Sequence, residues 1–236
     1  MSNRVLVTGF EPFGGEKVNP SELVARSLDG RLIAGRPLSI AILPVETRSL
    51  RDRLELLRLE EEPEIIIVLG QAGGRSALAL ERVAVNVLDF ELPDNVGVLR
   101  KNEPIARGGP DARLSNLPFE KIVAAWAEIG VPGYVSNSAG TYICNQALYE
   151  LLSLTETATP PVLVGLVHLP YLPAQAIAAG PETHPSMSFE LMKKGVEQII
   201  ETIVPWVENR GAESAAQPRE RTSRMWIPRG VKEAER

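Results

Sequence analysis

The only cysteine in this 236-residue chain, Cys144, is the side chain best suited to nucleophilic chemistry. It lies in residues 136–146, which read SNSAGTYICNQ and which we predict to be the end of a strand, a tight turn and the start of a helix. In the first turn of a helix, the dipole and the unpaired backbone N–H groups favour a thiolate, the reactive form of cysteine. A lone cysteine is also often a small buried hydrophobic residue, so residue type alone leaves both interpretations open.

A cysteine nucleophile needs a base within hydrogen-bond reach, and the base needs a third group that fixes its tautomer. Of the two histidines, His168 follows a very apolar predicted strand, whereas His184 lies in a loop bounded by prolines. We therefore favour His168 as the base. The alternative is that it only forms a structural hydrogen bond at the end of the strand. Glu81, in an apolar setting, suits the orienting carboxylate and a solvated charge at a strand end equally well.

Composition and charge limit the classes of protein to which this chain can belong. With 44% apolar residues, a chain of 236 residues can bury a full core, and this length fits one α/β domain better than two. The 30 acidic and 25 basic side chains give a net charge of −5, so we expect no nucleic-acid or acidic-membrane partner. No apolar run approaches the roughly 20 residues that cross a bilayer, and the first residues lack the apolar core of a signal peptide. We therefore expect a cytoplasmic protein, in which a free thiol survives.

Strands and helices alternate along the chain and must position these residues. A helix is predicted to begin at Asn19, with Pro20 at its first position and Glu22 completing a capping box. Further helices are predicted at 47–60, 118–129, 141–154 and 186–208, and strands at 4–8, 38–45, 64–69, 82–88, 134–136 and 162–167.

This order of elements predicts an α/β fold with three layers, in which helices cover both faces of a mostly parallel, twisted sheet, as in phosphorylase-like and hydrolase-like folds. Sites in such sheets form beyond the carboxyl ends of the strands. We therefore expect four loops to converge at one edge of the sheet, namely residues 9–15, 70–74, 136–142 and 168–171.

Several motifs, in a fixed order, give a specific resemblance. They are TGFEPFGG at 8–15 with NPS at 19–21, GQAGGR at 70–75, ERVAVN at 81–86, PDN at 93–95, SNSAGTYICN at 136–145 and VHLP at 167–170. With these motifs the chain resembles pyroglutamyl peptidase I, or pyrrolidone-carboxylate peptidase, a cysteine exopeptidase family, over almost all of residues 5–208. The resemblance implies that Cys144 is the nucleophile, His168 the base and Glu81 its orienting carboxylate. It also implies the removal of pyroglutamyl (5-oxoprolyl) residues from the N-termini of peptides, no metal or organic cofactor, and a homo-oligomer, either a dimer or a tetramer.

The substrate group that the resemblance implies is a flat, neutral lactam with one N–H and one ring carbonyl. Its pocket needs aromatic walls and a few backbone partners rather than a carboxylate for an ammonium. Phe10, Phe13 and Tyr142 can supply the walls, although Phe10 and Phe13 also fit ordinary core packing. The resemblance places the ring against Phe13 and Tyr142, adds the backbone around Gln71 as a partner of the lactam, and gives Asn19 the role of holding the first loop.

One position departs from the family pattern. Glu91, within DFELPDN at 89–95, stands where many members carry a basic residue, which would weaken activity or shift specificity unless Arg75 or Arg82 compensates. The alternative function is therefore a protein of the same fold with altered specificity or impaired catalysis that binds a small molecule. A phosphate-binding role for residues 70–74 is disfavoured, because the chain lacks both a Gly-Lys-Ser/Thr sequence and a G-x-G-x-x-G sequence.

The chain divides into a single α/β catalytic domain, residues 1–209, and a polar, basic extension, residues 210–236. The extension shows no helical or strand periodicity, and seven of its residues are basic while four are acidic. We expect it to be partly disordered. Residues 225–228, which read MWIP, are expected to dock on this subunit or on a neighbour, because a tryptophan in a free tail would be exposed to water.

Overall fold

The computed structural model describes residues 3–180 and 184–216, with side chains described through residue 208. The strands in this part of the chain are β1 (Val5–Phe10), β2 (Leu32–Ile33), β3 (Arg36–Leu43), β4 (Ile65–Gln71), β5 (Leu78–Glu81), β6 (Val83–Val85), β7 (Ala112–Leu114), β8 (Gly133–Ser136) and β9 (Leu163–Leu169). The helices are α1 (Pro20–Ser27), α2 (Leu50–Glu61), α3 (Phe119–Glu128), α4 (Ile143–Leu154), α5 (Pro173–Ala178) and α6 (Phe189–Ala216). Each predicted helix is present with shifted ends, whereas β2, β5, β7 and α5 had not been predicted.

Seven of these strands form one mixed sheet in the order β2-β3-β1-β4-β9-β5-β8. Strands β3, β1, β4 and β9 are parallel to one another, which confirms a mostly parallel sheet, and β2 is antiparallel to β3. Strand β5 is antiparallel to β9 and parallel to β8. The strand predicted at 82–88 is present only in part, as β6, which pairs antiparallel with β7 in a separate two-stranded sheet, while β5 ends directly before it in the main sheet.

The loop that leads to the cysteine leaves the opposite edge of the sheet from the other predicted loops. Because β8 runs opposite to β9, the prediction that all four loops leave from one edge is wrong for residues 136–142. This segment returns to the edge where β4 and β9 end, held by the Ala139 N–H bonded to the Val83 carbonyl and the Asp89 N–H bonded to the Thr141 carbonyl. Helix α4 then begins at this edge.

Helices cover both faces of the sheet, which confirms the three-layer arrangement. Helices α1, α3 and α6 pack against one set of strand residues, which includes Val5, Ile67 and Val167. Helices α2 and α4 pack against the alternate set, which includes Leu6 and Ile66. Successive residues of a strand face opposite sides of the sheet, so a strand covered on both sides is apolar throughout. This is why β4 reads as an unbroken apolar run.

The start of α1 is partly as predicted. The Asn19 side chain accepts a hydrogen bond from the Ser21 N–H at 3.0 Å, which confirms Asn19 as the N-cap. The predicted capping box is wrong, because Glu22 instead accepts a hydrogen bond from Arg26 Nε at 2.8 Å. The N-cap therefore depends on the asparagine alone.

The last described helix, α6, continues to Ala216, past its predicted end near residue 208. Residues 217–236, with the docking segment predicted at 225–228, lie outside the described residues. Among the helices described, none has the length and apolar character needed to cross a bilayer.

Candidate active site

Residues of three adjacent strands share the face of the sheet that α4 covers. Gly70 on β4 is in register with His168 on β9, and His168 is in register with Ala79 on β5. Glu81 lies two positions beyond Ala79 and therefore faces the same side. Diagonal neighbours across a strand pair lie within reach of long side chains. The sheet register thus brings the imidazole and the carboxylate together.

The imidazole of His168 contacts Glu81 directly. Its Nδ1 lies 2.8 Å from Oε1 of Glu81, and both side chains are buried. Burial acts to raise the pKa of Glu81, but hydrogen bonds with His168, Ser136 and Arg75 outweigh it and hold the pKa below its ordinary value. Glu81 is therefore a carboxylate that can accept a hydrogen bond from Nδ1, which leaves Nε2 on the other side of the ring to act as a base.

The sulfur of Cys144 lies beside that imidazole, above Gly70. Cys144 is the second residue of α4, as the sequence predicted. A Cβ added to Gly70 would lie 2.7 Å from Sγ of Cys144 and 3.2 Å from Nε2 of His168. The thiol and the free imidazole nitrogen therefore border the same point, where the absence of a side chain leaves room for both.

The environment of Cys144 does not by itself produce a thiolate. Burial and, next, the charge of Glu81 raise the pKa of Cys144 to about 12, although Arg75 and the Cys144 backbone N–H act to lower it. The backbone N–H of the first helical turn, which was expected to favour a thiolate, is therefore outweighed by burial and by Glu81. Attack by this sulfur requires a base, and Nε2 of His168 is placed to accept the proton.

A small cavity of about 80 Å³ opens next to the sulfur. Among the residues of the described chain that line it, none is a carboxylate or an ammonium, and His168 is the one titratable base. The cavity therefore suits a small uncharged group. Its lining includes all five predicted binding residues, which are Phe10, Phe13, Asn19, Gln71 and Tyr142. It also includes three residues that were not predicted, namely Val45, Ala139 and Ile143.

Aromatic rings form the wall of the cavity. The rings of Phe13 and Tyr142 are 5.7 Å apart, and Phe90 packs edge-on against Tyr142 at 4.6 Å. The Tyr142 hydroxyl donates a hydrogen bond to the Pro93 carbonyl at 3.2 Å, which fixes the ring. Phe10 belongs to the core, with 2% of its surface exposed, and also lines the cavity, so its core packing is confirmed and its contact with substrate stays a prediction.

Comparison with known proteins gives the family. A family model described as pyroglutamyl peptidase matches residues 3–205. The chain belongs to the pyroglutamyl peptidase family. The pyrrolidone-carboxylate peptidase of Coprothermobacter proteolyticus is 42% identical to it over 206 residues, covering 87% of this chain and 99% of that protein. The pyrrolidone-carboxylate peptidase of Pyrococcus furiosus is 44% identical over 200 residues, covering 84% of this chain and 96% of that protein.

A solved structure agrees with this membership. A crystal structure from work on pyrrolidone carboxyl peptidase of Pyrococcus furiosus and its cysteine-free mutant superposes with a TM-score of 0.83 at 42% identity. The match covers 86% of this chain and 99% of that chain. The three-layer fold is thus the fold of this peptidase family.

The PDN motif of the family anchors the loop that carries the aromatic wall. Asp94 is buried, and its carboxylate accepts hydrogen bonds from the N–H groups of Thr47 at 2.9 Å, Val96 at 3.1 Å and Val98 at 2.8 Å. Glu91 lies exposed on the same loop and does not line the cavity. The hydrogen bonds of Asp94 therefore fix the conformation of this loop, and Glu91 faces solvent.

A glutamine that had not been predicted supports the opposite side of the cavity. Gln175 on α5 is 3% exposed, and its Nε2 donates a hydrogen bond to Oε1 of Gln71 at 2.9 Å. Its own oxygen accepts the Leu172 N–H at 3.0 Å, which fixes the orientation of the amide. Gln175 therefore holds the Gln71 side chain in place, while Asn19 holds the first loop through the Glu11 carbonyl at 3.0 Å.

Two of the unpredicted features had signals in the sequence. Val45 follows β3, a strand parallel to β1, so its loop leaves the same edge of the sheet as residues 9–15. It should therefore have been included among the converging loops. Helix α5 begins at Pro173, a residue typical of a first helical position. Its six residues are too few to show helical periodicity.

The glycines of the 70–74 loop serve packing. A Cβ on Gly73 would lie 2.5 Å from the ring of Tyr171, so this position requires glycine because a tyrosine packs against it. The adjacent cavity is also far smaller than the several hundred Å³ of a pocket for a larger ligand. Both observations disfavour a nucleotide at this loop. His184, the other histidine, does not line the cavity.

Proposed function

We propose that this protein is a cysteine exopeptidase that removes N-terminal pyroglutamyl residues from peptides by acyl transfer to Cys144. The observation that carries the proposal is that Glu81 contacts His168, and that Nε2 of His168 and Sγ of Cys144 border the same point above Gly70, beside a small cavity lined by aromatic and uncharged polar groups. Membership of the pyroglutamyl peptidase family supports the same reaction.

The cavity accounts for the choice of substrate. A lactam ring can pack against the side chains of Phe13 and Tyr142, and the backbone of Gln71 can pair with the lactam N–H and carbonyl. A peptide with a free N-terminus would bring an ammonium group into a site whose described lining offers it no carboxylate. Burying an unpaired charge is strongly unfavourable, so such peptides are rejected.

The first half of the reaction acylates the enzyme. Nε2 of His168 takes the thiol proton as Sγ of Cys144 bonds to the pyroglutamyl carbonyl carbon, and the carbonyl electron pair moves onto oxygen. The Cys144 N–H, which has no partner within the helix at this first turn, stabilises that oxyanion. The intermediate then collapses, the scissile C–N bond breaks, and the Nε2 proton passes to the leaving amine.

The second half releases the product. Water attacks the thioester carbon while Nε2 of His168 takes one of its protons. The C–S bond then breaks, the Nε2 proton passes to Sγ of Cys144 to restore the thiol, and the product leaves as pyroglutamate after losing its carboxyl proton to solvent. Glu81 remains ionised throughout and stabilises the imidazolium that forms in each half. Its contact at Nδ1 keeps Nε2 directed at the sulfur.

A fluorogenic pyroglutamyl amide, assayed beside the corresponding prolyl and leucyl amides, tests the proposal. We expect cleavage of the pyroglutamyl amide alone, its complete loss after iodoacetamide, and a fall of at least about 1000-fold in Cys144→Ala. Equal cleavage of the prolyl amide, or near wild-type turnover by Cys144→Ala, would contradict it. A pyroglutamyl aldehyde that is captured by Cys144 without any turnover of the amide would instead favour the ligand-binding alternative.

We further propose a cytoplasmic homo-oligomer, a dimer or a tetramer. A reducing compartment keeps the Cys144 thiol free, and exposed apolar side chains such as Leu32, Leu114 and Ile177 are available for a subunit interface. Light scattering on the full chain tests the oligomer, and a monomer at all concentrations would exclude it. A variant ending at residue 209 tests the proposed domain boundary, since its melting temperature and its number of subunits should equal those of the full chain unless the extension docks.

A further inference from the structure

Arg75 contacts the same carboxylate oxygen as the imidazole. Its Nη1 lies 2.6 Å from Oε1 of Glu81, and Nδ1 of His168 lies 2.8 Å from that oxygen. The Glu81 side chain has no exposed surface, whereas the Arg75 side chain is 25% exposed. The guanidinium therefore stands at the boundary between the buried carboxylate and solvent.

We propose that Arg75 is a positioning residue that acts through Glu81, compensating the buried carboxylate so that His168 stays oriented and Cys144 can lose its proton. The turnover effects of this inference depend on the proposed function. Its effect on the reactivity of the thiol does not, because alkylation of Cys144 needs no peptide substrate.

The charges at the site explain why compensation is needed. A thiolate at Cys144 and the carboxylate of Glu81 repel each other, and Glu81 accordingly raises the pKa of the thiol while Arg75 lowers it. Without Arg75, the carboxylate would either stay buried with less compensation, which is costly, or take up a proton. A protonated Glu81 would stabilise the His168 imidazolium less well. Both outcomes slow proton transfer from Cys144.

The 70–75 segment carries Arg75 to this position. The segment leaves β4 directly after Gln71, and Gly74 adopts a left-handed conformation with φ of 81°, which glycine tolerates best. The chain then enters β5, which ends at Glu81. Arg75 and Gly70, which lies next to the sulfur of Cys144, thus belong to one short sequence motif.

Arg82 provides a matched control. It follows Glu81 directly, but its guanidinium donates to Oδ1 of Asn137 at 3.2 Å and lies 5.4 Å from the centre of the Phe119 ring. It is exposed and does not contact the carboxylate. Arg75 therefore contacts the Glu81 carboxylate and Arg82 does not, while the compensation for Glu91 stays a prediction.

The experiment compares Arg75→Gln, Arg75→Lys and Arg82→Gln in the full chain. Cys144 alkylation by iodoacetamide is followed against pH, with kcat and KM for a pyroglutamyl amide and the melting temperature. We expect Arg75→Gln to slow alkylation about tenfold at each pH below the midpoint, the effect of a shift of about one pH unit. We also expect kcat to fall by about 10- to 100-fold while KM changes by less than about threefold. Arg75→Lys should recover most of both losses, and Arg82→Gln should resemble the wild type.

An unchanged alkylation profile in Arg75→Gln would overturn the proposal, even if that variant melts at a lower temperature. A lysine variant no better than the glutamine variant would also overturn it, because charge would then not be the property that matters. If Arg75→Gln fails to fold, Arg75→Lys decides by itself. This variant keeps the positive charge, so an alkylation profile shifted to higher pH would contradict the proposal. An enzyme that cleaves no pyroglutamyl amide but shows the expected alkylation profiles would refute the proposed function and leave the role of Arg75 standing.

Discussion

Replacing Gly70 by alanine would place a methyl group between the candidate nucleophile and its base. The added carbon would lie 2.7 Å from Sγ of Cys144, 2.9 Å from Cδ2 of His168 and 3.2 Å from its Nε2. Non-bonded heavy atoms prefer separations of about 3.5–4.0 Å, so the sulfur must move by about 1 Å. Strand β4 cannot easily yield instead, because Gly70 is buried and paired in register with His168.

The displacement sets the size of the effect. A misplacement of about 1 Å in a reacting group can slow a reaction by about 100-fold. We therefore expect kcat for a pyroglutamyl amide to fall by about 100-fold in Gly70→Ala, equivalent to about 2.7 kcal/mol of activation free energy. Iodoacetamide labelling should also slow, since Nε2 of His168 no longer contacts the sulfur.

Gly165→Ala is the matched control on the neighbouring strand. Its added Cβ would lie 2.0 Å from Cδ1 of Leu117, a residue of the core on the face of the sheet opposite Cys144. This variant should melt at a lower temperature while its folded fraction keeps the wild-type kcat. The two glycine variants thus separate damage to the site from damage to the core.

The decisive measurement is kcat per folded molecule, with folding checked by thermal melting under the assay conditions. A Gly70→Ala enzyme whose kcat lies within about threefold of the wild type would refute the reasoning, because a methyl group at this position should misplace the sulfur. Equal losses of kcat in Gly70→Ala and Gly165→Ala would refute it as well, since the effect would then not be local.

Three further predictions concern the supports of the site and the core. Gln175→Leu leaves Oε1 of Gln71 without its partner, so KM should rise by about tenfold at nearly constant kcat; an unchanged KM would contradict this. Burial raises the pKa of Glu150 in the folded protein despite its ion pair with Arg51. The contribution of this group to the free energy of unfolding is therefore present below its pKa in the unfolded chain, and it is lost as pH rises through its pKa in the folded protein. Glu150→Gln should therefore raise the melting temperature at neutral pH and give no gain below the ordinary glutamate pKa, and calorimetry that finds the same gain at both would refute the sign. Trp126→Phe removes the buried hydrogen bond from Nε1 to the Gly195 carbonyl at 2.8 Å and leaves a gap, so denaturant unfolding should show a loss of about 2 kcal/mol; a variant as stable as the wild type would contradict it.

Local features of the chain could be predicted because neighbouring residues produce them. The apolar run of β4, the N-cap at Asn19 and the placement of Cys144 in the first turn of α4 each depend on a few adjacent residues. The order of motifs likewise predicted the family and the residues that meet at the cavity. Strand β5 escaped prediction because its four residues, LALE, are too few to show a period.

Long-range pairing could not be predicted from the chain. The antiparallel pairing of β5 with β9 places Glu81 diagonally across from His168, and it also reverses β8, so that the segment before Cys144 starts from the opposite edge. Strand direction in a mixed sheet depends on which distant strands pair, and local sequence does not encode it. The predicted convergence of four loops failed for this reason, although the residues themselves meet.

The sequence by itself determined which side chains are available for chemistry and the short elements that carry them. The tertiary structure decided how they behave. Cys144 lies in a helical turn that favours a thiolate, yet burial and the charge of Glu81 raise its pKa to about 12. Arg75 and Arg82 looked equivalent in the sequence, and only the fold directs one guanidinium to the Glu81 carboxylate and the other away from it. Desolvation and charge act through space, so residues far apart in the chain set the reactivity of each group.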